Sequence, residues 1–149
     1  MHIEFSKYNF RTKSENNIRY IFDIIRKKYV VLTPEEWVRQ HIVHYLLYDH
    51  QFPKSLISLE KKLTLNELTK RTDIVLYNQK GEPVLIVECK AESVALTQKT
   101  FEQIARYNLT LSVPFLWVSN GNVNHLCRID HTLKKFTFLD TLPSPSELI

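Results

Sequence analysis

A chain of 149 residues and 17.7 kDa, 44% hydrophobic and 24% charged, is sized for one domain that buries its own core without disulfide or metal staples. Its two glycines, Gly81 and Gly121, lie too far apart to write a phosphate loop or a dinucleotide-binding fingerprint, which excludes an ATP motor and a Rossmann site. The formal charge of +4 is concentrated in residues 1–33, where seven Lys or Arg stand against three acids, while the remainder balances 13 against 13.

The basic segment carries Arg11, Lys13, Arg19, Arg26, Lys27 and Lys28 with Tyr8, Phe10 and Tyr20 between them. Such a pattern suits either contact with phosphates or an ordinary solvated surface. Ile18–Phe22 reads as a short strand, followed by a basic helical turn over Asp23–Lys28. The first strong signal is Thr33-Pro34-Glu35-Glu36, with Thr at the N-cap, Pro at the first helical position and Glu36 placed to close a capping box. A helix is predicted from Pro34 to about Asp49, with Val38, Ile42, Val43, Leu46 and Leu47 forming its buried stripe.

Gln51-Phe-Pro-Lys breaks the helix, and Leu56–Leu65 alternates like a strand. The clearest hairpin follows: Thr72–Tyr77 and Pro83–Lys90 are β-branched and apolar runs flanking Asn78–Glu82. If Asn78 pairs with Pro83, Asp73 lies opposite Glu88. A helix over Thr97–Leu109 is expected from Phe101, Ile104, Ala105 and Leu109. Strands at Phe115–Ser119 and Val123–Ile129 surround the turn pair Asn120-Gly121, Lys135–Leu139 adds an edge strand, and Pro143-Ser-Pro-Ser-Glu reads as a frayed tail. This order predicts an α/β fold, a mixed central sheet flanked by helices. Residues 1–33 form a basic segment packed on a core over 34–142, and 143–149 the tail.

No apolar run approaches the ~20 residues that span a bilayer, Met1-His-Ile-Glu begins no signal segment, and Cys89 and Cys127 lack the pattern of a secreted disulfide framework. The expectation is a soluble, cytoplasmic protein with reduced thiols and no membrane partner.

Asp73, Glu88 and Lys90 form the chemically telling group. In a strand Glu88 and Lys90 share a face while Cys89 points the other way, and the proposed register brings Asp73 alongside. Two nearby carboxylates disfavour joint ionisation unless a cation sits between them. Mg²⁺ resolves that conflict while keeping waters and accepting phosphate oxygens, and a neighbouring ammonium orients the attacking water. A plain strand-end salt bridge is the competing reading.

Asp73, Glu88-Cys89-Lys90 and Gln103-Ile-Ala-Arg-Tyr107 resemble the PD-(D/E)xK nuclease superfamily, with Thr72 in place of the motif proline. More closely, Thr33-Pro-Glu-Glu-Trp-Val-Arg-Gln40, Lys70-Arg-Thr-Asp-Ile-Val75, Val87-Glu-Cys-Lys-Ala91 and Ser119-Asn-Gly121 resemble the nuclease domain at the N-terminus of type I restriction endonuclease R subunits. The resemblance implies a restriction-endonuclease-like fold and a Mg²⁺-dependent endodeoxyribonuclease, with Mn²⁺ as a substitute metal. It implies that Asp73 and Glu88 bind the ion, helped by the carbonyl of Cys89, and that Lys90 positions water. Gln103 and Tyr107 would steady the site or contact DNA, with a surface amide and a core tyrosine as the competing readings. Glu36 is either a further metal ligand or only the capping-box acid. The motor that follows this domain in R subunits is not among these residues, so cleavage alone or with separate restriction-modification or motor subunits is expected. A homodimer suits double-strand cleavage. The rival function is a catalytically inactive nuclease-like module that binds nucleic acid or protein.

Arg39 and Arg71 stand as phosphate or structural partners. His41 and His44 lack a third zinc ligand, and His125, Cys127 and His131 lack an orienting acid, so neither set reads as a site.

Overall fold

In a computed structural model describing residues 1–65 and 67–149, the chain opens with a small antiparallel sheet in the order β1 (Thr12–Glu15), β2 (Ile18–Asp23), β3 (Lys28–Val31). The stretch over Asp23–Lys28 is therefore a hairpin turn and not a turn of helix. Asp23 dictates this: its buried Oδ1 accepts from the amides of Ile25 and Arg26 at 2.8 and 2.9 Å, and Lys27 takes φ +56°. Local side-chain bonds of this kind compete with helical hydrogen bonding.

Helix α1 (Pro34–His44) is capped by Thr33, whose hydroxyl accepts from the Glu36 amide at 3.0 Å, and it continues as a π-helical turn over Tyr45–Asp49. Only half of the capping box forms. The Thr33 amide donates to the Val31 carbonyl at 3.1 Å, and the Glu36 carboxylate is drawn to arginines instead.

The expected strand over Leu56–Leu65 is two strands in different sheets, β4 (Ile57–Leu59) and β5 (Lys62–Leu65), broken where Glu60 takes φ +55°. β5 pairs with β6 (Leu68–Arg71) as a separate ribbon. The main sheet has the order β11-β10-β9-β8-β7-β4, built from β4, β7 (Ile74–Tyr77), β8 (Pro83–Cys89), β9 (Phe115–Ser119), β10 (Asn124–Asp130) and β11 (Lys135–Leu139). Only β8 and β9 run parallel, joined by the crossover helix α2 (Gln98–Asn108), so the sheet is mixed and flanked by helices as expected. Its two faces carry two cores. Leu85, Val87 and Cys89 pack with Val38, Ile42 and Leu46 of the α1 side, and Ile86, Val75 and Val118 with Phe101 and Ala105 of the α2 side.

The β7–β8 register pairs Ile74 with Val87, which continues to Asp73 opposite Glu88, but the pair nearest the loop is Tyr77–Pro83. A bulge between Leu76 and Tyr77 absorbs the difference from the expected Asn78–Pro83 pair, and the Asn78 side chain is used to close the loop, accepting from Lys80 and Glu82 amides. The C-terminal residues are docked, not frayed. A short helix α3 (Pro145–Leu148), capped by Ser144, buries Leu148 in the α1-side core, and the Pro143 carbonyl meets His50 Nε2 at 2.8 Å. Among the described residues no helix is long and apolar enough to cross a membrane.

Candidate active site

Asp73 stands just before β7 and Glu88 and Lys90 lie at the end of β8, so the central hairpin delivers all three to one end of the sheet. Asp73 Oδ2 accepts from the Cys89 amide at 2.7 Å, and its Oδ1 lies 3.8 Å from Arg39 Nη1. The Lys90 amide donates to the Ser119 carbonyl at 2.8 Å, leaving its half-buried side chain beyond the ladder. Asn120 fastens the chain that follows: its Nδ2 donates to the Val94 carbonyl at 2.9 Å while its Oδ1 accepts from the Asn122 and Val123 amides. Gly121 sits at φ +91°, and an added Cβ would press on Val38 at 3.4 Å, which accounts for the Ser119-Asn-Gly121 element.

Glu88 faces the α2 side, where the ammonium of Lys70 from β6 pairs with its Oε1. The same ammonium lies 4.9 Å from the ring centroid of Tyr107. Burial pushes the Glu88 carboxyl above its ordinary range, opposed by Lys70 and reinforced by the charge of Asp73. Tyr107 is thus connected to the acid pair through Lys70, and at 45% exposure it is not core. Gln103, four residues earlier on α2, is exposed and has no protein hydrogen-bond partner among the described residues.

Glu36 is turned inward, away from this role. Arg39 donates to both of its oxygens, at 2.8 and 2.5 Å, Arg26 Nη2 donates at 2.9 Å and Gln40 Nε2 at 3.1 Å. Burial alone would raise this carboxyl, yet the Arg39 guanidinium holds it below its ordinary range. Arg26 also binds Asp23, and Arg26, Arg39 and Arg71 converge on Glu60, at 3.1, 3.5 and 2.8 Å. Arg39 and Arg71 are therefore tied to carboxylates. The first-helix acid that senses the candidate site is Glu35, which is raised by burial and then by the negative charge of Asp73, and lowered by Lys90.

The Cys89 thiol is fully buried and pushed well above its ordinary value by desolvation, which keeps it protonated and leaves only its backbone to serve the site. Cys127 is likewise core, pushed up to about 12 by burial. His41 and His44 bond back to the carbonyls of Trp37 and Gln40, each at 2.8 Å, and stack among Tyr8, Phe10 and Tyr48. Among the described residues no three or more His, Cys, Asp or Glu side chains gather closely enough to hold a metal by themselves.

Lys70 and Glu35 are the charged neighbours of Glu88, Asp73 and Lys90 that sequence reasoning missed. Glu35 adjoins the capping glutamate, and helical phase alone does not say which of two consecutive acids lies near Asp73 and Lys90. Lys70 lies three residues before Asp73, but its approach to Glu88 depends on a strand outside the main sheet.

Residues 34–143 match the family model described as type I restriction enzyme R protein N terminus. The type I restriction enzyme EcoAI endonuclease subunit of Escherichia coli is 33% identical over 91 residues, covering 58% of this chain and 11% of that protein. A fragment structure of a putative HsdR subunit of a type I restriction enzyme from Vibrio vulnificus aligns with a TM-score of 0.52 at 21% identity, over 78% of this chain and 24% of that one. This chain thus spans about a tenth of the curated relative and about a quarter of the structural one. With the model matching most of its length, the chain belongs to the family of type I restriction enzyme R protein N-terminal domains.

Proposed function

We propose that this domain is a divalent-metal-dependent nuclease that hydrolyses DNA phosphodiester bonds at the end of the β7–β8 hairpin. The observation that carries the reading is the Ile74–Val87 pairing, which leaves Asp73 and Glu88 one step beyond it and close enough for the charge of Asp73 to act on Glu88, with Lys90 two residues further on. The donor set suits a hard cation: Mg²⁺ is commonly held by one or two carboxylates with waters completing its shell. The raised, buried Glu88 also has a demand for positive charge, met here by Lys70. Asp73 and Glu88 would hold Mg²⁺ or Mn²⁺, with the Cys89 carbonyl as a neutral donor, while Glu35 of α1, in place of Glu36, would add negative charge nearby without serving as a ligand. When bound, such an ion supplies Lewis acidity toward a phosphoryl oxygen and lowers the pKa of water.

The chain's own groups have separable tasks. The Cys89 amide fixes the Asp73 carboxylate through Oδ2. Lys90 would orient the attacking water and offset charge growing on the phosphoryl oxygen. Lys70 would release Glu88 as the site loads and stay anchored on Tyr107. DNA, separate restriction-modification or motor subunits and a second copy of the chain are the partners consistent with this reading. Cytoplasmic residence belongs with it.

The Lys70–Glu88 pair favours one rival, a module that binds nucleic acid without turnover, because its acid is already neutralised. Incubation with supercoiled, linear, branched and single-stranded DNA, with and without metal, separates the two. Mn²⁺ or Mg²⁺ is expected to raise the melting temperature of the wild type but not of Asp73→Ala. Lys90→Ala is expected to fold and lose cleavage, and cleavage equal to wild type would mark the activity as a contaminant.

A further inference from the structure

A second cleft adjoins the candidate site. The first is walled by Thr33, Pro34, Glu35, Glu36, Arg39 and Ala91. The second, of about 540 Å³, shares Thr33 and Pro34 with it and continues past Ala91 to Glu92 and Ser93, with Arg19 and Trp37 on its far side. Residues 91–93, which follow Lys90 in the chain, thus border both clefts and lead to an exposed indole and a guanidinium.

Trp37 is 37% exposed, yet its ring is held, with Phe10 at 5.1 Å and His41 at 4.5 Å between centroids. An indole fixed from behind and open in front loses little entropy when a planar partner stacks on it. Arg19, exposed near the start of β2, has no carboxylate within ion-pair distance among the described residues, in contrast to Arg26, Arg39 and Arg71. Arg11 and Lys13, by comparison, are engaged over Phe22 and Tyr29 at 4.5 and 4.4 Å. Glu92 adds an acceptor of the kind that meets the exocyclic amine of cytosine or adenine.

Resting on the nuclease reading of the adjoining site, we infer that this cleft is a nucleotide subsite. It takes one base of the bound DNA strand against Trp37, with Arg19 on a neighbouring phosphate. Base stacking and a single unpaired cation are the elements from which single-strand grooves are built. The volume falls within the roughly 300–1,000 Å³ typical of ligand pockets.

The chain reports on this itself, because its other tryptophan, Trp117, is fully buried and donates to Asn124 Oδ1 at 3.0 Å. Single-stranded and duplex oligonucleotides of about 12 nucleotides are titrated into the full chain without metal, following tryptophan emission. Saturable quenching is expected for the wild type and absent in Trp37→Phe, whose affinity stays within a few-fold. Trp37→Ala is expected to weaken binding about 5- to 100-fold. Arg19→Gln should weaken it and lower the salt slope by about one.

Wild-type binding with unchanged emission, equal affinity in Trp37→Ala, or no binding of any oligonucleotide overturns the subsite. Melting curves of both Trp37 variants guard against misfolding, and the Phe variant alone decides should the Ala variant unfold. Quenching without hydrolysis on addition of Mn²⁺ supports the subsite and removes the nuclease reading. Hydrolysis without quenching does the reverse.

Discussion

Replacing Lys70 by Met keeps an apolar stem against Tyr107 and removes the one cation in ion-pair contact with Glu88 among the described residues, leaving only the weaker pull of Lys90. Glu88 and Lys70 are each 12% exposed, so solvent offers little substitute. The cost has a ceiling, because a stranded carboxylate escapes by taking up a proton. That escape costs about 1.4 kcal/mol for each pH unit above the ordinary carboxyl value. Starting from 4.5, the ceiling is roughly 3.4 kcal/mol at pH 7 and roughly 0.7 at pH 5. Loss of the ammonium from the Tyr107 ring adds about 0.5–1 kcal/mol at every pH.

A carboxyl whose folded pKa lies above its unfolded one binds more protons when folded, so the penalty is absent below about 4.5 and grows as pH rises toward the folded value. For a domain of this size, at about 2–4 °C per kcal/mol, Lys70→Met should melt up to about 17 °C below wild type at pH 7 and no more than about 7 °C below it at pH 5. Thermal melting across that range is the assay. A deficit that is the same at both pH values, or that persists in its pH dependence when Glu88→Gln is added, refutes the electrostatic account of the pair.

Glu36→Gln should cost about 3–5 kcal/mol at neutral pH by breaking a buried ion-pair network. Because the folded Glu36 carboxyl is depressed, its contribution is complete above about 4.5 and lost as pH falls through the folded value. The deficit should therefore be flat between pH 5 and 7 and shrink only in stronger acid, as followed by urea unfolding. Leu148→Ala should cost about 2–4 kcal/mol, because Leu148 is 4% exposed and packs into the α1-side core. A change under 0.5 kcal/mol in the same assay would mean that the C-terminal helix contributes nothing to folding.

The main sheet was legible where its strands are apolar on both faces. Ile74–Leu76 and Leu85–Val87 are buried throughout, as suits strands covered by a helix on each side, and β9 and β11 ended where their sequences turn polar. The run pattern also delivered the Ile74–Val87 register that leads up to Asp73 and Glu88, while the bulge between Leu76 and Tyr77 at the loop end is encoded by no local pattern. The N-terminal sheet was hidden because β1 is wholly exposed and β2 half so, leaving little apolar periodicity to read. Asn16-Asn17 was its available signal: both take positive φ, as a two-residue hairpin turn requires. Glu60 defeated a single-strand reading for a related reason, since here a charged residue occupies the left-handed region. The fates of Glu36 and Lys70 depend on arginines and strands distant in sequence, so a motif could name the carboxylates but not their counter-ions.

The family match begins at Pro34, eleven residues after Asp23 has already entered the arginine cluster beneath α1. Similarity limits and folding limits consequently diverge in this molecule. A polypeptide trimmed to residues 34–143 would lose Arg26 and Asp23 together, stripping a guanidinium from both Glu36 and Glu60 beneath the helix that carries Glu35. The N-terminal sheet therefore supplies part of the ion-pair network beneath α1, and expression boundaries drawn from homology alone would remove it.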